Sequence, residues 1–441
     1  EDRKKSPGVY ALRDMIGRSG VERAMEKTLR GKAGKALFVR DDRGHRRLSE
    51  ETDDVGSGEA FERAVPGNDV WLALDMELQK EVSRSFRYYK SGGAVMLDVD
   101  SGGVLALYSK PGFDPNVWSG RLTREVWEET NANPYTPLIN KAVSPYAPGS
   151  VYKIVTGLAG LTEETVTAET TIDCSGFYEY GGRRFHCHYL PGHGSVNLTE
   201  ALKYSCDVYF YRLGEMLGMD TLAEYGALLG YGELTGVQIG ERRGRLPTRH
   251  WHAEETSLGW QPGFTLSTAI GQGSLTASPL QVAKSYVAMA NGGELLDLNV
   301  VDRCEDEDGS VTRRFERSIN RTLPFAAMDM AVVHQGLVDV VNAPDGTASE
   351  MALETILMAG KTGTAEAAQM RRGASPEMKR WLEEDHAWFA AYAPADDPKI
   401  VVVVFVEHGG SGSKRAAPIA RRIVQSWERT QADRPDNGES P

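Results

Sequence analysis

The chain has 441 residues, 25% of them charged and 41% hydrophobic, and a net charge of −12. That is a globular composition, enough for one large domain plus a smaller one. The acidic balance, with no Lys/Arg cluster interleaved with aromatics, argues against nucleic acid as a partner, and an anionic substrate would need a local basic site working against the overall field. No apolar run reaches membrane-spanning length and no signal peptide is visible. The chain starts at Glu1, so it reads as an excised soluble region.

Residues 1–65 are highly charged, with one helix-like piece, GVERAMEKTLRG, and a turn, RDDRGHRR. The pattern changes at Gly67. VWLALD reads as a strand, MELQKEVSRSFRYYK as a helix, and AVMLDVDSGGVLALYS as a hairpin turning at Asp100–Gly103. A mostly helical stretch follows from about 150 to 290. MAGKTGTA, HAWFAAYAPA and KIVVVVFVEHGG are three strand-like runs, PIARRIVQSWERT is a closing helix, and the tail 431–441 is expected to be disordered. Strands near both ends with helices between them predict one sheet that gathers both termini, in the α/β or α+β class.

The stretch PYAPGSVYKIVTGLAGL carries Ser150 and Lys153 at the mouth of an apolar helix. Residues i and i+3 share a helix face. A lysine in a dry site can serve as base toward a neighbouring hydroxyl, and a helix N-terminus offers N–H groups to a developing oxyanion. SxxK alone is expected about once by chance in a chain this long. Ser411 and Lys414 match it too, in a glycine-rich loop read as having no apolar helix after it.

Two further motifs follow Ser150 in order: Ser205-Cys206-Asp207 and Lys361-Thr362-Gly363. Together the three match the serine–lysine signature of penicillin-interacting enzymes. The chain resembles the transpeptidase domain of class B penicillin-binding proteins, of the elongation type, from about Gly67 to Thr430. The match includes YAPGSVYK, IGQGSLTASPLQVA, VVNAPDGTA and HAWFAAYAP, and GRSGVE resembles the end of that family's N-terminal linker domain.

The resemblance implies a five-stranded, mainly antiparallel sheet flanked by helices. It implies a linker remnant over 1–65, a transpeptidase domain over 66–430, and a tail over 431–441. Ser150 would be the acylated nucleophile and Lys153 its base. Ser205 would relay protons between the lysines, and Lys361 would hold Ser205. Thr362, Gly363 and Thr364 would bind the substrate, and the N–H groups of Ser150 and Thr364 would form the oxyanion hole. The activity implied is cross-linking of peptidoglycan stem peptides, with β-lactams acylating the same serine. A serine β-lactamase and a β-lactam sensor are the rivals. The implied partner is a SEDS-type glycosyltransferase, and the implied location is the extracytoplasmic face, anchored by an N-terminal helix outside this chain.

Asp207 departs from the Asn common at its position. Its charge would favour charged lysines, opposing a neutral Lys153 unless Asp207 pairs chiefly with Lys361.

Cys174, Cys187, His193 and Cys206 lie 13, 6 and 13 residues apart. Three thiolates and an imidazole suit structural zinc, and a Cys174–Cys187 disulfide is the alternative by spacing. The resemblance favours zinc, because elongation-type relatives carry a metal site here. His186 and His188 are expected to be exposed at the hairpin turn, and Cys304 to be a loop thiol without a partner.

Overall fold

The computed structural model describes residues 10, 14–36, 38–40, 42–43, 46–48, 61–120, 122–367 and 375–432. Contacts divide the chain into two compact units. One comprises residues 1–73, 238–240 and 299–316, and the other 74–237, 241–298 and 317–441. In the first unit, helical turns span Gly20–Ala24 and Glu26–Leu29. The strand Asp69–Leu72 pairs antiparallel with Val301–Glu305, which pairs in turn with Val311–Arg314. Cys304 is therefore buried in a central strand and is not the loop thiol expected.

The second unit is built on the expected five-stranded sheet. Its strands are β1 (Gly92–Asp98), β2 (Val104–Lys110), β3 (Ala359–Ala365), β4 (His386–Ala393) and β5 (Ile400–Val406). The order is β3-β4-β5-β1-β2, antiparallel throughout. The sheet thus gathers elements from both ends of the chain.

Strand β5 reads IVVVVFV without alternation because both of its faces are covered. Val402, Val404 and Val406 join Ala94 and Met96 against Leu78 and Val82 of helix α1 (Met76–Ser85), against Phe86 at its C-terminal end, and against Ile419 and Ile423 of the closing helix. Val401, Val403 and Phe405, with Val95 and Leu97, are buried on the opposite face. Each such side chain contributes about 1.5–3 kcal/mol on burial. Asp75 starts α1 by accepting from the N–H groups of Glu77 and Leu78.

The helices that place the site are α2 (Lys153–Thr162), α3 (Leu198–Lys203), α4 (Asp207–Leu217), α5 (Pro262–Ala269), α6 (Pro279–Ala290) and α7 (Ala327–Asn342). The closing helix, α8 (Ala417–Ala432), takes in Gln431 and Ala432, which the sequence assigned to the tail; residues 433–441 lie outside the described residues.

Candidate active site

Ser150 lies in a 3₁₀ turn, Gly149–Tyr152, that runs into α2 at Lys153. In a 3₁₀ turn residues i and i+3 eclipse, so Ser150 and Lys153 stack more directly than in an α-helix. Gly149 makes the turn possible. Its φ is +61°, and a Cβ there would stand 2.6 Å from the carbonyl oxygen of Thr364. A side chain at Gly149 would therefore collide with strand β3. Tyr286 on α6 holds the turn from behind, its hydroxyl donating to the Val151 carbonyl at 3.1 Å.

Ser205 and Cys206 sit at the corner between α3 and α4, and Asp207 opens α4. Ser205 has φ +55°, a conformation uncommon for a residue with a side chain. The corner brings the motif to α2. Lys153 is fully buried; its Nζ donates to the Ser205 carbonyl at 2.8 Å, to Ser205 Oγ at 3.3 Å and to Asp207 Oδ1 at 2.7 Å.

Asp207 thus pairs with Lys153, and the alternative pairing with Lys361 is not what forms. The other carboxylate oxygen accepts from the His188 backbone N–H at 2.9 Å and lies 3.3 Å from its ring Nδ1. Burial works to raise the Asp207 carboxyl, but the Lys153 charge and the His188 hydrogen bond outweigh it and hold it below its usual value. His188 is pushed up to about 9, chiefly by its hydrogen bond to Asp207. His186 and His188 are both exposed, as expected, but the hairpin turn is made by Gly181 and Gly182, and His188 also docks on Asp207.

Lys361, Thr362, Gly363 and Thr364 run along β3, an edge strand. Lys361 and Gly363 face the α2 side. A Cβ on Gly363 would meet Pro148 O and Val151 Cγ1, both at 3.1 Å, so only glycine lets the turn and the strand approach this closely. Lys361 is fully buried, its Nζ donating to the Thr362 carbonyl at 3.2 Å. Burial, with the Lys153 charge beside it, drives its amine well below the usual lysine value. Thr362 Oγ1 shares a hydrogen bond with Thr347 Oγ1 at 3.1 Å, while Thr364 is exposed.

One contact was not foreseen. Gln272 Nε2 donates to the Thr364 carbonyl at 3.1 Å, and its Oε1 accepts from the Glu366 N–H at 3.2 Å. The signal lay in the quoted IGQGS run. Gly271 (φ +78°) turns the chain after α5, and its carbonyl accepts from Gly149 N–H at 2.9 Å.

The four residues expected to hold a metal converge. Cys174, Cys187, His193 and Cys206 bring their ligand atoms within 4.8 Å of one another. His193 Nδ1 lies 3.6 Å from both Cys174 Sγ and Cys187 Sγ. A tetrahedral zinc with ordinary Zn–S and Zn–N bonds separates its ligands by about 3.5 Å, so the donor set and its spacing fit that ion. All four cysteines are free, so the Cys174–Cys187 disulfide is not formed.

The second SxxK is corrected in part. Ser411 is followed by a π-turn, Gly412–Ala416, and then by α8, so a helix does follow it. Ser411 Oγ instead meets Ser413 Oγ at 3.1 Å, and Lys414 is exposed.

The model of the penicillin-binding protein transpeptidase domain matches residues 92–425. The chain belongs to that family. The penicillin-binding protein dimerisation domain matches residues 1–72. The peptidoglycan D,D-transpeptidase MrdA of Haemophilus influenzae is 33% identical over 95% of this chain. The chain spans 64% of that relative's length. A crystal structure of Pseudomonas aeruginosa PBP2 in complex with WCK 5153 covers 93% of this chain and is itself covered to 84%, with a TM-score of 0.77 and 29% identity. A chain from a structure of a peptidoglycan synthase complex that coordinates polymerization and crosslinking has a TM-score of 0.80 at 33% identity; the match covers 95% of this chain and 71% of that one.

Proposed function

We propose that this chain is the catalytic region of a peptidoglycan D,D-transpeptidase of the elongation type, acting through a serine acyl-enzyme. The observation that carries the reading is the convergence of three separated motifs, with Lys153 Nζ bonded to both Ser205 and Asp207 and the Ser150 turn packed against Gly363 and Thr364. Ser150 Oγ attacks the carbonyl carbon of the penultimate D-alanine of a stem peptide, and its proton passes to Lys153. The N–H groups of Ser150 and Thr364 hold the oxyanion. Collapse expels the terminal D-alanine, its nitrogen protonated through Ser205. An amine from a neighbouring stem peptide then takes the acyl group and frees Ser150. A β-lactam acylates the same oxygen, and its ring amine stays attached.

In the resting arrangement Lys153 is ion-paired with Asp207, so it must shed a proton before it can accept one from Ser150. We place it on Lys361, with Ser205 as relay; burial keeps that amine well below its usual value, so the transfer is uphill until a substrate carboxylate arrives to stabilise the new cation. On taking the proton Lys361 becomes cationic, ready for the substrate carboxylate alongside the hydroxyls of Thr362 and Thr364.

Cys174, Cys187, His193 and Cys206 would hold a structural zinc, supported by their donor chemistry and spacing. Four protein ligands leave no open position for water, so the ion supplies cross-linking of the fold. By likeness to the relatives, the whole protein works outside the cytoplasm from a membrane anchor, beside a SEDS-type glycosyltransferase. Residues 1–65 are assigned to the linker domain on the same ground.

The test is intact mass after incubation with a penicillin, with the adduct mapped. One stable adduct on Ser150, absent in Ser150→Ala and slowed by orders of magnitude in Lys153→Ala, is expected. Rapid turnover of penicillin would favour the β-lactamase, and an adduct at another residue would reject the reading.

A further inference from the structure

Strand β3 is an edge strand, so one row of its backbone groups faces away from β4. In an antiparallel ladder the N–H and C=O of one residue point to the same side, and alternate residues point to opposite sides. The Thr364 carbonyl accepts from Gln272, which lies outside the sheet, so Thr364 belongs to the outward row. Thr362 and Glu366 share that row, and the Glu366 N–H also goes to Gln272. The carboxamide of Gln272 therefore presents one donor and one acceptor to two successive outward residues, groups that an added strand would otherwise supply from two of its peptide units.

This matters for a peptide laid along β3, the usual way an extended ligand meets a sheet edge. If the Thr364 N–H holds the oxyanion, the acyl-donor residue is the one paired with Thr364. Ladder geometry then requires that the same residue's own N–H donate to the Thr364 carbonyl. Gln272 Nε2 already sits on that carbonyl, at 3.1 Å. Its place is set by the backbone: Gly271 and Gly149 are joined by a hydrogen bond of 2.9 Å, and Gln272 N–H donates to Ser267 O at 2.8 Å.

We propose that Gln272 is a specificity-determining placeholder for the donor amide. In the substrate-free protein it satisfies the open edge of β3 and keeps that edge from pairing with other strands. A donor that brings its own amide N–H must displace the carboxamide from Thr364, whereas an acylating agent without that N–H leaves it in place. The proposal rests on the reading of Ser150 as nucleophile and of Thr364 N–H as an oxyanion donor.

The experiment compares acylation of the full chain by benzylpenicillin, which carries an acylamino N–H, and by penicillanic acid sulfone, which lacks it. The rate is resolved into the saturating step and the concentration giving half of it. Gln272→Ala, and separately Gln272→Glu, which cannot donate to a carbonyl but still accepts from Glu366 N–H, should lower the half-saturating concentration of benzylpenicillin about three- to tenfold. The saturating rate and both constants for the sulfone should stay within about twofold. Equal changes for the two compounds, no change, or weaker binding of benzylpenicillin in both variants would overturn the placeholder role while leaving the acyl-enzyme intact. Failure of the unsubstituted chain to form any Ser150 adduct would overturn both readings.

Discussion

At the scale of single residues, the site is defined by buried charge. Lys361 has no carboxylate partner among the described residues, and burial with the nearby Lys153 charge keeps its amine well below the usual value. A lysine depressed in the folded state binds fewer protons there than when unfolded. Stability therefore rises with pH from the folded value up to the unfolded one, and is lowered below that window. Lys361→Met, of similar volume, should melt at higher temperature than the parent at pH 6, with the gap closing as pH rises toward 10. The same change should slow penicillin acylation by at least about 100-fold, since the proposed mechanism makes Lys361 the proton acceptor. A variant that melts lower at every pH would contradict the reading of Lys361 as a destabilising buried amine.

Gly149 gives a second residue-scale expectation. Alanine there must adopt φ +61° and place its Cβ 2.6 Å from the Thr364 carbonyl. The left-handed conformation alone costs about 1 kcal/mol. Displacing the Thr364 carbonyl shifts the adjoining backbone, and spoiling one donor of the proposed oxyanion hole would cost about 10²–10³ in rate. Gly149→Ala should then lose acylation out of proportion to its fall in melting temperature, measured on the same preparation.

At the scale of elements, the segment 172–196 is a clasp on the corner between α3 and α4. Its strands carry Cys174 and lead to His193, and Cys187 stands next to His188, which bonds Asp207. Two attachments thus hold the corner, one through Cys206 and one through His188. Chelation, or Cys206→Ser, should lower melting temperature and acylation rate together, with metal per chain followed by elemental analysis. Cys304→Ser should lower melting temperature alone, because a hydroxyl is placed in a buried strand. Metal-free protein with full stability and activity would remove zinc from the account.

These elements also show what the sequence disclosed. The hairpin β1–β2 and the runs β3, β4 and β5 were legible because long apolar stretches with Gly, Pro and Asp at their ends have few alternatives. Ser150, Ser205 and Lys361 were legible as an ordered triple. The partner of Asp207, the docking of His188, the clamp by Gln272 and the burial of Cys304 were not. Each depends on which distant segments the fold brings together. Nothing in the local pattern around Asp207 favours Lys153, 54 residues away, over Lys361. The two units differ in the same way, since a chain-order reading has no means of returning residues 299–316 to the first unit.

For the whole molecule, the order β3-β4-β5-β1-β2 makes β5 the only strand joining the hairpin β1–β2 to the pair that carries Lys361. Removing residues 399–432 should leave two sheet fragments with open edges, giving aggregated protein that takes up no penicillin label, as solubility and labelling would show. The same arrangement sets a timetable. Gly92–Asp98 pairs with Ile400–Val406, so about 300 residues must be made before the first hairpin meets its neighbour. At roughly 5–20 residues per second that is about 15–60 seconds of synthesis. Throughout it, the GGAVMLD strand has an unpaired, strongly apolar edge. The molecule is most vulnerable as a nascent chain, and its yield in a cell should follow the supply of factors that shield such edges more closely than the stability of the finished fold.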